Sequence, residues 1–230
     1  MAKDLFPSTH PLTPPLTEEV WLDWLRLLRS HRVGISTFYR LMAEFGSASA
    51  ALEALPNVAA TAGVKNYAAA SCQQVETEWR KAREVGAQPI AIGAENYPKS
   101  LAEISDPPPI LWVVGNCDIF TRPMIALVGA RNASSLGTRM ARRLAKDLGA
   151  AGYVVVSGLA RGIDTAAHAA ALDTGTVAVV AGGVDVVYPP ENADLAQDIG
   201  EKGLRLSEMP VSLAPRAQHF PRRNRLISGI

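Results

Sequence analysis

Three glycine-containing turns carry the residue types that bind phosphate groups. The first turn is Gly129-Ala130-Arg131, which follows the apolar run 125–128 and precedes Ser134. A glycine lets a strand turn sharply, and a serine suits the N-cap of the next helix, where free N–H groups attract anions. An arginine in such a turn can hold a phosphate with two hydrogen bonds. The first turn is therefore a candidate phosphate-binding site.

The other two turns follow apolar runs further along the chain. They contain Ser157, Gly158, Arg161 and Gly162 in one case, and Gly182 and Gly183 in the other. Because the carboxyl ends of parallel strands meet at one edge of a sheet, we expect all three turns to lie side by side and form a phosphate-lined groove. The patterns GxGxxG and GK[ST] are absent, so neither a dinucleotide site nor a P-loop is predicted.

A basic segment near the end of the chain combines cations with an aromatic ring. No acidic residue follows Glu208. The residues of interest are His219, Phe220, Arg222, Arg223, Asn224 and Arg225. Arginines contact phosphates regardless of base sequence, and an aromatic face can stack on an unpaired base. The segment thus suits a groove for single-stranded nucleic acid, with a solvated surface loop as the alternative.

Asp164 and His168 lie four positions apart on a predicted helix and could form a catalytic pair. The nearest candidate nucleophile, Ser157, belongs to no recognisable nucleophile elbow. We therefore interpret Asp164 as a cap or brace of the second turn, and His168 as a partly buried polar residue. No metal site is predicted from these or other residues.

The elements that must position the turns alternate between strand and helix. We predict strands over 88–92, 110–114, 125–129, 153–157, 176–181 and 204–207, and helices over 137–150, 162–173 and 192–202. Such alternation indicates right-handed βαβ units. The fold class is therefore α/β over residues 87–230, a Rossmann-like, doubly wound and mostly parallel sheet.

A small all-helical domain is predicted over residues 17–86, after a loose tail over residues 1–16. Helical patterns start at Thr17 and Gly34 and cover 47–55 and 66–85. The segment 33–52 has the helix–glycine turn–helix layout of helix-hairpin-helix modules, which present backbone amides to DNA phosphates. We favour the alternative in which its glycines only cap helices.

The composition narrows the class of protein. The chain has 230 residues, 48% of them hydrophobic, and a net charge of +1. Its two cysteines, Cys72 and Cys117, lie far apart and form no zinc motif, which favours a reducing, cytoplasmic location. No apolar run reaches the length of a membrane span, and the first residues lack the layout of a signal peptide.

Five motifs, taken in order, resemble those of a known family. They are YPKSLAEISDPPPILWVVGN, IALVGARNAS, VVVSGLARGIDTAAHAAAL, AVVAGGVDVVYPPEN and FPRRNRLISG. From about residue 17 onwards the chain resembles the DNA-processing protein A family, also called DprA or Smf. The resemblance implies a sterile-alpha-motif-like helical domain and an extended Rossmann-type domain. It also implies a non-enzymatic protein, without cofactors, that binds and protects incoming single-stranded DNA in natural transformation and loads the RecA recombinase.

The resemblance also implies roles for single residues. Arg131 is the expected phosphate clamp, Phe220 the residue that stacks on a base, and the arginines of the last motif further phosphate contacts. Family members usually continue past RNRLISG with more strands and helices, and the full-length proteins are expected to be homodimers. We therefore expect an open sheet edge in this chain, which would carry unpaired backbone groups.

Two functions of other classes are left open by the sequence. A nucleotide-processing enzyme, such as a phosphoribohydrolase related to lysine-decarboxylase-like proteins, also holds phosphate on glycine-rich turns, and residues 181–183 partly match its motif. Such an enzyme needs a carboxylate beside the ribose, and none falls in these turns. An assembly module, whose helical domain contacts partners, is the other possibility.

Overall fold

In the computed structural model, which describes residues 12–230, four helices precede an α/β unit. They are α1 (Glu18–Arg29), α2 (Ile35–Phe45), α3 (Ala48–Thr61) and α4 (Cys72–Glu84). Thr17, Ser47 and Ser71 cap three of these helices, each accepting a hydrogen bond from an N–H group of the first turn. Of the predicted tail, residues 1–11 lie outside the described residues, and residues 12–16 contain neither helix nor strand.

The glycines of the helix–turn–helix segment lie at the two ends of α2. Gly34 is the N-cap of α2, and Gly46 ends that helix in the left-handed conformation with φ +77°. Helix α3 is longer than predicted and continues through Pro56, because Leu55 and Ala59 are both buried in the core. Helix α4 is shorter than predicted, since its N-cap is Ser71.

Within the described residues, six strands form one sheet in the order β1-β2-β6-β5-β4-β3. They are β1 (Gln88–Ala91), β2 (Ile110–Gly115), β3 (Met124–Ala126), β4 (Val154–Ser157), β5 (Thr176–Val179) and β6 (Leu204–Ser207). Strands β3 to β6 are parallel to one another, whereas β2 is antiparallel to both β1 and β6. The predicted fold class is confirmed, and each predicted strand is present.

Helices cover both faces of the sheet. They are α5 (Lys99–Ala102), α6 (Ser135–Ala150), α7 (Ile163–Ala171), α8 (Ala193–Lys202) and α9 (His219–Gly229). Alanines of α6 and α7 pack against Val155, whereas Leu226 and Ile227 of α9 pack in the cluster that contains Val154 and Val156. Successive residues of β4 therefore face opposite layers. The basic segment 219–225 is part of α9, so its alternative interpretation as a solvated loop is wrong.

Strand β3 lies at one edge of the sheet, since among the described residues it pairs only with β4. Ile125 and Val128 at this edge are exposed, as are Leu136 and Met140 on α6.

Among residues 12–230, no helix is both long enough and apolar enough to cross a bilayer.

A buried carboxylate joins the helical region to the sheet. Glu78 of α4 is 7% exposed and accepts hydrogen bonds from Arg29 of α1 at 2.9 and 2.8 Å and from the indole of Trp112 at 2.9 Å. Trp112 belongs to β2, and it lies in the same apolar cluster as Trp24 and Phe38 of the helical region. The two parts of the chain therefore share one core.

Replacing Glu78 with alanine tests this junction. The change leaves the Arg29 charge and the Trp112 N–H without an acceptor in an apolar environment, so we expect the free energy of unfolding to fall by about 3–5 kcal/mol. Urea denaturation followed by circular dichroism measures this loss. The control is Glu84→Ala, which removes only an exposed partner of Arg80 and should cost less than about 1 kcal/mol. A small loss in both variants would contradict the assigned role of Glu78.

Candidate nucleic-acid interface

The first turn presents Arg131 to solvent at the end of β3. Residues 129–131 are all exposed. The Ser134 hydroxyl accepts a hydrogen bond from the Gly137 N–H at 3.1 Å, so it is the N-cap of α6, as the sequence indicated. Gly129 must be small, because a Cβ atom there would lie 2.6 Å from the side chain of Ile163. The turn is thus fixed against α7 while its arginine remains accessible.

The second turn is braced from within the protein. One carboxylate oxygen of Asp164 accepts hydrogen bonds from the N–H groups of Gly158 at 3.1 Å and Ala160 at 3.3 Å. His168 accepts a hydrogen bond from the Leu159 N–H at 3.3 Å. The interpretation of Asp164 as a brace is confirmed. These three amides are already bonded, so they do not offer free donors to a phosphate.

Ser157 of this turn, predicted to line the groove, and His168 of α7, predicted to be partly buried, are both buried. The Ser157 hydroxyl is buried and donates to the Leu127 carbonyl at 2.6 Å, so it faces the protein and not the groove. His168 is fully buried rather than partly buried, and its Nδ1 atom lies 2.7 Å from the Thr176 hydroxyl. Burial lowers the pKa of His168 to about 3, and the nearby Arg223 charge contributes to the shift. The ring is therefore neutral at physiological pH.

The third turn does not line the groove, which corrects our expectation. Gly182 and Gly183 are buried beneath the segment that follows β6. The Gly183 N–H donates to the Leu213 carbonyl at 2.8 Å, and the Ser212 N–H donates to the Asp185 carboxylate at 2.7 Å. The returning chain thus occupies the space above these glycines where a ligand was expected.

Two arginines of the basic segment serve the interior, which corrects their interpretation as phosphate contacts. Arg223 is 5% exposed and donates to the carbonyls of Gly158, at 2.7 Å, and of Val179. Burial lowers the pKa of Arg223 to about 10, with Asp164 opposing the shift, so the guanidinium stays charged at neutral pH. Arg225 is paired with Asp106 at 3.1 Å and with Glu208. Carbonyls at strand ends need donors, and Arg223 supplies them.

The remaining residues of the segment are divided between interior and surface. His219 is buried, and its Nδ1 atom accepts a hydrogen bond from the Arg216 N–H at 3.2 Å. Arg222 and Asn224 are exposed, and the Asn224 side chain accepts a hydrogen bond from Arg223 at 3.3 Å. Arg222 is therefore the arginine of this motif that faces solvent.

A cation and two aromatic rings meet above the first two turns. The guanidinium carbon of Arg131 lies 5.2 Å from the ring centroid of Phe220, and the Tyr188 ring lies 5.5 Å from Phe220, centroid to centroid. These side chains line a pocket together with Gly158, Ala160, Arg161 and Pro189. Below, this pocket is called the Arg131–Phe220 pocket. It can hold a phosphate at the guanidinium and a flat base against the rings.

Tyr188 was missed by the sequence analysis. It is 51% exposed and lies in the loop after β5. The sequence did contain a signal for it, because this aromatic residue follows a predicted strand at the same edge of the sheet as Arg131 and Arg161.

Among residues 12–230, no group of His, Cys, Asp and Glu side chains is arranged to hold a metal ion.

Arg161 is the second arginine at this pocket, and it is paired. Its Nε and Nη2 atoms donate to the two carboxylate oxygens of Glu191, the latter bond measuring 3.2 Å. These hydrogen bonds raise the pKa of Arg161 and lower the pKa of Glu191. Arg161 thus carries its own counterion in the free protein.

Comparison with known proteins identifies the family. A family profile described as DNA recombination-mediator protein A matches residues 88–230, and a profile described as DprA-like N-terminal HHH domain matches residues 18–81. The chain belongs to the DNA recombination-mediator protein A family. The resemblance found in the sequence motifs is confirmed.

Relatives within the DNA recombination-mediator protein A family are longer than this chain. DNA processing protein DprA of Bacillus subtilis is 40% identical over 151 residues, which are 64% of this chain and 51% of the relative. The chain thus spans about half the length of this curated relative, and 48% of DprA of Streptococcus pneumoniae, which is 45% identical over 136 residues.

Two solved structures are similar to this one. The X-ray structure of DprA from Streptococcus pneumoniae has a TM-score of 0.66 and 31% identity, covering 93% of this chain and 70% of that chain. DNA processing protein A from Helicobacter pylori, whose structure addresses a single-stranded DNA binding mode, has a TM-score of 0.58 and 32% identity. That alignment covers 62% of this chain and 65% of the Helicobacter pylori chain.

The neutral, buried His168 predicts acid sensitivity of the fold. Its pKa is about 3 in the folded state and 6.5 when exposed, so between these pH values the unfolded state binds the proton and the folded state does not. The free energy of unfolding is therefore highest above pH 6.5, and it falls by about 1.4 kcal/mol per pH unit as the pH is lowered toward 3. Urea denaturation at about pH 7 and about pH 5 measures this loss.

His168→Gln keeps a hydrogen-bonding side chain without this proton linkage, so we expect a flatter dependence of unfolding free energy on pH. His31→Gln, at an exposed histidine, is the matched control and should behave as the parent does. The assignment is wrong if the parent and His168→Gln lose the same free energy between the two pH values.

Proposed function

We propose that this chain binds single-stranded DNA in the Arg131–Phe220 pocket. The observation that carries the proposal is the convergence of the Arg131 guanidinium with the Phe220 and Tyr188 rings. A cation and an aromatic face side by side match the alternation of phosphate and base along a nucleic-acid strand. A base held in a duplex cannot stack on Phe220, so the pocket favours a single strand.

In this proposal, Arg131 binds a phosphate, and Phe220 and Tyr188 contact a base. The exposed backbone of Gly129 and Ala130, the solvent-facing Arg222 and Asn224, and Arg161 extend the contact surface along the strand. Affinity then comes mainly from phosphate contacts and depends little on base sequence. The single-stranded DNA binding mode studied in the Helicobacter pylori relative supports the same ligand class.

We extend the proposal to a role in DNA processing without catalysis or cofactor. Asp164, the carboxylate that braces the second turn, is occupied, since it accepts two backbone N–H groups. A phosphoribohydrolase-like reaction needs a free carboxylate beside a ribose, and Asp164 is not free. Its hydrogen bonds favour binding over nucleotide hydrolysis.

The wider role rests on the family alone. We propose that the protein acts in the cytoplasm, protects incoming DNA in natural transformation and loads RecA, with homodimers formed by the longer family members. Relatives named as DNA processing proteins support this assignment. Protein partners are thus proposed from the family, and the DNA ligand is proposed from the pocket itself.

Arg131→Ala tests the phosphate contact. We expect weaker binding of a labelled oligothymidine at every salt concentration, and a log–log salt slope that is flatter by about 0.7, since one phosphate contact of a single strand is lost. Fluorescence anisotropy over a series of KCl concentrations measures both quantities. Arg80→Ala, at an exposed arginine on α4, should leave the slope unchanged. Parent-like affinity and slope in Arg131→Ala would remove Arg131 from the site.

Phe220→Leu tests base stacking. Leucine keeps apolar bulk on α9 but has no aromatic face, so we expect binding to weaken by about 1–3 kcal/mol. Anisotropy with the same oligothymidine measures the loss, and circular dichroism checks that the helix is kept. Duplex and mononucleotide competitors should displace the oligothymidine poorly. Unchanged affinity in Phe220→Leu would assign Phe220 to packing only.

A further inference from the structure

Arg161 and Glu191 form an ion pair whose geometry imitates an arginine–phosphate contact. Two nitrogens of the guanidinium donate to the two oxygens of one carboxylate, which is the two-bond arrangement that arginine also makes with phosphate. Both side chains are open to solvent, with 62% of Arg161 and 50% of Glu191 exposed. Water screens such a pair, so it adds little to folding stability and its partners can exchange.

The turns that carry these two residues are held together by other contacts. The buried side chain of Asn192, next to Glu191, donates to the Leu159 carbonyl at 2.9 Å and to the Thr165 hydroxyl at 3.0 Å. This amide fixes the 190–192 segment against the second turn. The ion pair is therefore not needed to position either turn, so it can open without moving them.

The two arginines of the pocket differ in their partners. Arg131 lies over an aromatic ring, and within the described residues it has no carboxylate at ion-pair distance. Arg161 has Glu191. A strand of DNA that enters the pocket meets one guanidinium that is free of carboxylate and one that is already neutralised by the protein.

We propose that Glu191 is an internal competitor of DNA phosphate for Arg161. In the free protein Glu191 neutralises Arg161; in the complex a phosphate takes its place, and Arg161 becomes the second phosphate contact of the groove. The proposal rests on the proposed binding of single-stranded DNA. The displaced carboxylate then lies beside a polyanion and repels it, so Glu191 lowers the affinity of the groove.

The exchange has a specific signature in the salt dependence. Each phosphate that a protein cation neutralises releases condensed cations from the strand, which steepens the fall of affinity with salt. When phosphate displaces Glu191 from Arg161, the freed carboxylate beside the strand retains a cation in turn, so this contact contributes little to the salt slope of the parent. Glu191→Gln removes that carboxylate, and the Arg161 contact then releases cations and becomes salt-dependent.

Glu191→Gln tests this exchange by anisotropy with a labelled oligothymidine over a series of KCl concentrations. We expect several-fold tighter binding at low salt and a log–log slope steeper by about 0.7. The matched control is Glu44→Gln, which removes an equally exposed partner of an arginine on α2, at 3.0 Å from Arg40, and changes the net charge by the same amount. It should leave the slope at the parent value.

A double variant separates exchange from general repulsion. In an Arg161→Ala background, Glu191→Gln should no longer steepen the slope, because the arginine that the carboxylate masks is gone. The unfolding temperature of Glu191→Gln should equal that of the parent, since Asn192 holds the turns. If Glu191→Gln unfolds at a lower temperature, the binding measurements are made on Glu191→Ala. Tighter binding with an unchanged slope, or equal slopes in Glu191→Gln and Glu44→Gln, would overturn the exchange. A parent protein that binds no oligothymidine would instead overturn the proposed function.

Discussion

The buried guanidinium of Arg223 determines where the groove lies. It donates to the carbonyls of Gly158 and Val179, and these belong to the turn after β4 and to the end of β5. Helix α9 is thereby tied to the carboxyl edge of the parallel strands. Phe220 lies three residues earlier on α9, so it is on the same side of the helix, one turn away. The bonds of Arg223 therefore place the Phe220 ring above the first two turns, within reach of Arg131.

In the proposed site, anion recognition falls to side chains and not to backbone amides. Three amides of the second turn are bonded to Asp164 and His168. Gly158 of this turn allows close packing, because a Cβ atom there would lie within 2.6 Å of the Arg223 guanidinium. A turn held by these internal contacts then supports solvent-exposed arginines. Side chains of this kind follow a strand of varying shape more easily than fixed backbone donors do, which suits a ligand recognised by its phosphates.

The sequence was sufficient for the fold, and for part of the site. Alternating apolar runs and amphipathic helices predicted the parallel strands, and the turn glycines placed Arg131 and Arg161 at one edge. The sequence did not show which contact each arginine of the last motif makes. Whether Arg223 meets a phosphate or a carbonyl depends on which strand ends lack donors, and that is a property of the assembled sheet. The burial of Gly182 and Gly183 likewise depends on where the chain returns after β6.

The core shared around Trp112 and Glu78 limits how the helical region can act. A flexible tether would let that region sample many orientations relative to the groove. Here separation would expose an indole, a carboxylate and a guanidinium that now satisfy one another. The shared core consequently fixes the orientation of the helices relative to the sheet, and in the proposed complex whatever the helical region contacts lies at a constant angle and distance from the strand.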